Sequence, residues 1–432
     1  MNSSKTIVPV TRRNFLTTTG VATVGALSAN RFAFAASNDT LKIALVGCGG
    51  RGSGAAAQAL SVPGTKLVAM SDAFPDRLQN SLNGLKEAKG AQVDVPADRQ
   101  FVGLDGYKNA IALADVVILA TPPGFRPMQF AEAVKQGKHV FAEKPVATDA
   151  PGVRQFLAAA EEAKKKNLKV GIGLQRHHDP GYIETVKRIQ DGAIGDVTAM
   201  RVYWNDAGVW VNPRKPEQTE MEYQLRNWYY FVWLCGDHIA EQHIHNLDVA
   251  NWVKNGHPVK ARGMGGRQIL TDKKYGQIFD HHMVEFTYAD GSICFSQCRH
   301  QPGCWSEVNE HAIGTKGSSA VGNSLIRPTG GEAWRYRGEK RVDPYQQEHD
   351  DLFAAIRNNT PYNEAFYGAH STMTSILGRM ATYSGKELTW DEGINSTLSH
   401  FPERLAFDAK PKALPDAEGR YEIPVPGVTK AW

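Results

Sequence analysis

The chain has 432 residues, of which 42% are hydrophobic and 22% charged, and its formal net charge is +4. That length calls for two or more domains, and the small charge with no long Lys/Arg run excludes a dedicated nucleic-acid binder. No apolar stretch reaches the length of a membrane span: the nearest, Phe15–Ala29, is interrupted by threonines and glycines.

In chain order, the first signal is Thr11-Arg12-Arg13-Asn14-Phe15-Leu16, a pair of arginines ahead of a mildly apolar run. Small residues near Ala33–Ala36 offer a cleavage site. The segment resembles a Tat export signal, so residues 1–36 are set apart from the fold and a periplasmic or otherwise exported location is expected. The Tat route carries folded proteins, so a bound cofactor would be loaded before export.

Leu41–Val46 is an apolar run suited to a buried strand. Gly47, Gly49 and Gly52 follow at the G-x-G-x-x-G spacing, with a helix-compatible run, Gly54–Leu60, behind them. In a dinucleotide site Gly47 permits the turn, Gly49 lets the backbone approach a pyrophosphate, and Gly52 lets the helix pack on the strand. A second strand, Lys66–Ser71, ends in Asp72, where a ribose-binding acid belongs. Further strands are expected at Asp115–Ala120, Lys138–Ala142 and Leu168–Ile172, with helices such as Phe125–Gln136 and Pro151–Lys166 between them. This alternation predicts a doubly wound parallel sheet over residues 37–175.

From about residue 179 the pattern changes to longer period-two strands, Val197–Trp204, His281–Tyr288 and Ser292–Arg299, with a hairpin signal at Asp290-Gly291. Gly314-Thr315-Lys316-Gly317 reads as another turn, and Asp343–Asn358 and Phe366–Ser384 as helices. Residues 176–395 therefore predict an α/β domain with a large, mostly antiparallel open sheet. The second face of that sheet needs helices or another subunit to cover it. Residues 396–432 read as an extended tail, its last part, Lys410–Trp432, rich in Pro and Gly. The five cysteines, Cys48, Cys235, Cys294, Cys298 and Cys304, form no C-x-x-C pair. Export leaves room for one disulfide, which the spacing does not identify.

Three stretches carry chemistry. Ala142-Glu143-Lys144-Pro145 puts a lysine at the carboxyl end of a parallel strand, where it can bind a substrate oxygen; the alternative is a surface lysine. In Gly236–Asp248 a helix would place Glu241 and His245 four apart on one face, with His238 and Asp248 along the same stripe. A histidine oriented by a carboxylate is a general base. The same residue types suit a metal, but the spacing is not H-E-x-x-H and no cysteine lies near, so no metal is expected. Gln175-Arg176-His177-His178-Asp179-Pro180 falls at the seam between the halves, where a cleft would form. The run Trp228–Trp233 suits either sugar stacking or core packing.

The glycine loop, Glu143-Lys144-Pro145, the 175–180 stretch and the Glu241…His245…Asp248…Trp252 run occur in one order. Together they resemble the Gfo/Idh/MocA family, named for glucose–fructose oxidoreductase and inositol dehydrogenase, over residues 41–395. The resemblance implies a Rossmann domain and a second α/β domain, packed as a homodimer or homotetramer. It implies NAD, with NADP as the alternative, and a sugar, cyclitol or polyol substrate. It assigns Lys144 as the catalytic lysine and His245 as the base, with Glu241 where many members carry a relay aspartate. Cofactor contacts are expected from Gly47, Gly49, Gly50, Arg51, Gly52, Asp72, Thr121, Pro122, Glu143 and Lys144, and substrate contacts from Arg176, His177, His178, Asn205 and His238. Asp72 favours NAD; Arg51 and Arg77 keep NADP open. Net hydride transfer is the expected reaction. A redox-neutral glycosidase or epimerase working through a transient keto-sugar is the alternative, and a non-catalytic sugar-binding protein is disfavoured by the presence of both Lys144 and His245.

Overall fold

A computed structural model describes residues 40–338 and 342–432; the twin-arginine segment 1–36 lies outside the described residues. Six strands form the first sheet: β1 (Leu41–Val46), β2 (Thr65–Asp72), β3 (Gln100–Val102), β4 (Val116–Leu119), β5 (His139–Ala142) and β6 (Val170–Ile172). All pairings are parallel, in the order β3-β2-β1-β4-β5-β6. Strand order reverses between β1 and β4, which opens a crevice at their carboxyl ends. Alternation along β1 feeds two cores: Ala44 and Val46 pack with Phe130 and Phe156 on one face. Ile43 and Leu45 pack with Ala55, Ala59, Leu82 and, from far along the chain, Leu352 and Phe353 on the other. The helix Pro344–Asn358 thus returns to cover the first sheet.

The second sheet has nine strands: β7 (Val197–Asp206), β8 (Lys260–Gly266), β9 (His281–Thr287), β10 (Ile293–His300), β11 (Glu307–Gly314), β12 (Gly317–Ala320), β13 (Leu325–Pro328), β14 (Trp334–Arg335) and β15 (Leu388–Thr389). Their order is β14-β13-β12-β11-β7-β10-β9-β8-β15, and only β7–β10 is parallel. The Asp290-Gly291 hairpin joins β9 to β10, with Gly291 at φ +83°, and Gly314–Gly317 joins β11 to β12. One face packs on the helices Ile244–Lys254 and Ala365–Ser384; Gly378 is required there, because a Cβ would lie 2.8 Å from the Phe286 ring. The opposite face exposes Met264, Met283, Ile313 and Arg201. Cys294 and Cys298 share the buried face of β10, and all five cysteines are free.

Two expectations need correction. Gly236–Asp248 is not one helix: a short turn of helix, His238–Glu241, stops at Gln242, and a new helix starts at Ile244. The His243 N–H reaches back to His238 O, and long-range anchors hold the break: Gln242 to His300 and His243 to Ser296. The tail from 396 has no helix or strand, yet it is partly core: Tyr421 is buried on Phe231 at 4.9 Å, and Ala409 and Ala431 are buried.

Candidate active site

The switch-point crevice holds a cavity of about 500 Å³. Gly47, Gly49, Gly50, Arg51, Gly52, Asp72, Thr121 and Pro122 line it. Gly47 sits at φ +95°, and a Cβ there would lie 2.4 Å from Thr121 N; a Cβ on Gly52 would lie 1.9 Å from Gly47 O. Gly49 and Gly50 are different, since a Cβ on either meets nothing within 4 Å. Open space in front of the amino end of the helix Gly50–Ala59, which has no side-chain cap, fits a dinucleotide pyrophosphate. Asp72 closes the turn by accepting from Cys48 N at 2.7 Å and Phe74 N at 2.9 Å, and burial raises its pKa.

The cavity is roofed from the second half of the chain by Trp210, Asn212, Leu225, Arg226 and Trp228. Arg226 lies 3.9 Å from the centre of the Phe74 ring and pairs with Asp76 at 3.0 Å. The tail residue Phe407 packs on the same ring at 5.6 Å. The aromatic run therefore divides, with Trp228 on the cavity and Tyr229, Tyr230, Phe231 and Trp233 in the core. No local pattern singled out Trp210 or Arg226; their role depends on a loop folding back over the first sheet.

Arg51 lines the cavity, but its guanidinium is already paired. It pairs with Glu143, with Gln58 at 2.8 Å and with Glu348 at 2.9 Å. Glu143 is buried, and Gly173 leaves room for its carboxylate, 2.6 Å from where a Cβ would stand. Arg126, unsuspected from sequence and fully buried, donates to Glu143 O and Thr121 O and so ties the ends of β4 and β5 together. Burial lowers its pKa to about 10, against the opposing pull of Glu143 and Glu241.

Lys144 follows β5 and points at the second half of the chain. Its Nζ donates to the Glu241 carbonyl and lies 3.2 Å from Glu241 Oε1. Glu241 thus grips the lysine, while the His245 Nδ1 has no hydrogen-bond partner. His245 is buried at the start of its helix and stacks near Trp204 at 5.9 Å. Burial, with the positive charges of Lys144, Arg176 and Arg51, pushes its pKa well below the usual histidine range. It is a neutral imidazole at ordinary pH. Lys144, Glu241 and His245 lie outside the lining of the 500 Å³ cavity.

The proposed substrate residues scatter. Arg176 pairs with Glu310, which also holds Asn246 at 2.6 Å. His177 bonds Asp248 at 2.8 Å and is stacked between Trp252 at 4.1 Å and Tyr367 at 4.3 Å. His178 faces away, between Asp351 at 2.7 Å and Glu364 at 3.2 Å. Asn205 is on the opposite face of β7 from Trp204, buried beneath the segment that carries Trp305. His238 is fully enclosed beside Asp237, His282 and His300. Only Arg176 and His177 of this set sit against the helix that carries His245.

A parallel sheet in this order, with a glycine loop at its switch point, defines a dinucleotide-binding α/β protein. Residues 41–172 match the Gfo/Idh/MocA oxidoreductase family, a family with an NAD-binding Rossmann fold. Inositol 2-dehydrogenase of Rhizobium meliloti is 26% identical over 288 residues, covering 66% of this chain and 76% of that protein. Scyllo-inositol dehydrogenase of Lactobacillus casei, solved with NAD(H) and scyllo-inositol, has the same fold, with a TM-score of 0.62 at 21% identity over 82% of this chain and all of that one. Aldose-aldose oxidoreductase of Caulobacter crescentus, complexed with glycerol, gives a TM-score of 0.63 at 19% identity over 81% and 99%.

Proposed function

We propose that this chain is an NAD-dependent oxidoreductase acting on a CH–OH group of a carbohydrate or polyol. The observation that carries the reading is the pairing of a Glu241-held Lys144 with a buried, neutral His245 at the carboxyl edge beside the glycine loop. His245 takes the proton from the substrate hydroxyl, for which a neutral ring is required. Lys144 donates to the same oxygen and stabilises its developing negative charge, and Glu241 keeps the ammonium aimed. Bound NAD supplies the hydride acceptor. In this reading Asp72 takes the ribose hydroxyls, which favours NAD; Arg51 is occupied by Glu143 and Glu348, and Arg77 on the cavity lining is the arginine that keeps NADP open. The inositol dehydrogenase relatives support the polyol class.

One observation favours the redox-neutral alternative, a glycosidase or epimerase that oxidises and then re-reduces its substrate. Trp210 and Trp228 line the cofactor cavity from the second half of the chain, and Phe407 backs its wall residue Phe74, which would add contacts to a retained nucleotide. The twin-arginine segment agrees, since free NAD is scarce outside the cytoplasm, and we place the protein in the exported class. The open face of the second sheet, where Met264, Met283 and Ile313 are exposed among charged residues, is the surface that would pair in a homodimer or homotetramer. Purified protein incubated with inositols, free sugars and aryl glycosides, with and without added NAD, separates the readings. NADH formed in proportion to product supports net oxidation. Glycoside cleavage or epimerisation without added NAD supports the neutral cycle. Neither activity on any of these substrates counts against both.

A further inference from the structure

Behind the catalytic segment lies a buried group that the hydride-transfer reading leaves without a task. Asp237 and His238 open the short helix that ends at Glu241, and His282 faces them from β9. Asp237 Oδ1 is 3.3 Å from His282 Nε2 and 3.8 Å from His238 Nε2, and the three donor atoms lie within 4.8 Å of one another. All three residues are at most 1% exposed. Neither imidazole Nε2 has a hydrogen-bond partner. Two orphaned nitrogens aimed at one carboxylate oxygen in a dry interior are costly unless something between them satisfies both.

We propose that Asp237, His238 and His282 form a structural site for a divalent transition metal, zinc by ligand chemistry. Metal–ligand bonds of about 2.0–2.2 Å in a tetrahedron put donors roughly 3.3–3.5 Å apart, so the Asp237–His282 spacing of 3.3 Å fits as it stands and His238, 3.8 Å from Asp237, would move inward on binding. The surrounding bonds hold the donors. His282 Nδ1 is bonded to Thr382 Oγ1 at 2.9 Å, which fixes the ring with Nε2 toward the carboxylate. The second oxygen of Asp237 accepts from Phe279 N at 3.0 Å and from the Tyr383 hydroxyl, while Oδ1 accepts from His238 N and turns its other lone pair toward the two imidazoles. The set is two imidazoles and a carboxylate with no thiolate, which suits zinc and disfavours copper(I) or an iron–sulfur cluster. The donors are buried away from the cofactor cavity, so the ion's role is to tie the segment entering Glu241 to β9. Glu241 N bonds Asp237 O at 2.9 Å, so the carboxylate that grips Lys144 stands one turn from the ion.

The test is metal content. Full-length protein expressed in zinc-supplemented medium and purified without chelator is measured by elemental mass spectrometry. About one zinc per chain is expected, with His238→Gln and His282→Gln each falling to roughly a tenth of that or less. Dipicolinate should lower the wild-type melting temperature, and added Zn²⁺ should restore it. Cobalt(II) loaded in its place should give the visible absorption of a low-coordinate cobalt centre, which both variants lack. These wild-type readings stand even if a variant fails to fold. Wild-type protein without stoichiometric metal, whose melting temperature ignores both chelator and Zn²⁺, would overturn the proposal and leave a simple Asp237–imidazolium pair.

Discussion

His245 is kept in its unprotonated form by its surroundings, with no carboxylate partner on its Nδ1. Its ring is buried, its Nδ1 is unbonded and positive charges surround it, so the unprotonated form persists at neutral pH. Lys144 has the opposite arrangement, with both oxygens of its contact supplied by Glu241. In the proposed mechanism both groups act mainly as the substrate oxygen gains charge, so their loss should lower turnover more than binding. We expect His245→Ala and Lys144→Ala each to cut kcat by on the order of 10²-fold or more, with NAD still bound. Glu241→Gln keeps a hydrogen bond to Lys144 but loses the charge, and should cost less than either. Near-wild-type turnover in both alanine variants would remove the assignment. At this scale residue type and order single out Lys144 and His245 as candidates, and in the structure the charges of Lys144, Arg176 and Arg51 bear on His245. The partner of Glu241 was not legible, because the break at Gln242 turns it toward Lys144.

Among the elements, the glycine loop was the most legible, because its requirements are steric and local. Gly52 stands where a Cβ would penetrate the Gly47 carbonyl. Gly52→Ala should therefore displace the helix Gly50–Ala59, destabilise the fold by about 1–3 kcal/mol and strip bound nucleotide, read by melting temperature and nucleotide release. The roof over the cavity is the reverse case. Arg226 pairs with Asp76 from 150 residues away, and no periodicity in Glu220–Arg226 announces it. Arg226→Ala should leave turnover with saturating NAD near wild type while the protein copurifies with less nucleotide. Equal retention by the variant and the wild type would show that the roof does not hold the cofactor.

For the whole molecule, the helix Pro344–Asn358 and the tail join the two sheets into one body. His178 is one of the joints. Burial opposes its charge, but hydrogen bonds and charges from Asp351 and Glu364 outweigh it and raise its pKa to about 10. A raised histidine pKa adds stability below its unfolded value of about 6.5, and that stability is lost as pH climbs toward about 10. The melting temperature should fall over that window, by roughly 2–4 °C for each kcal/mol lost if a domain-sized unit unfolds. His178→Gln should flatten the fall, and an equally steep profile in the variant would refute this account. Export is tested on the precursor. Replacing Arg12 and Arg13 together with Lys should keep it in the cytoplasm, and unchanged delivery would refute the signal.

The amino-acid sequence by itself determined the parallel sheet, the dinucleotide turn, the Asp290-Gly291 hairpin and the lysine at the end of β5. Each is written in a short window, as an apolar period, a steric need for glycine or a strand end, and such constraints act before distant parts of the chain meet. Tertiary structure alone decided which side chains face one another. It sent Arg51 to Glu348, 297 residues away, put Asn205 on the far face of β7, turned His178 from the cleft and brought His282 to Asp237. Those pairings depend on register between strands and on where long connections return, and a one-residue change of register moves a side chain to the other face without altering its local pattern.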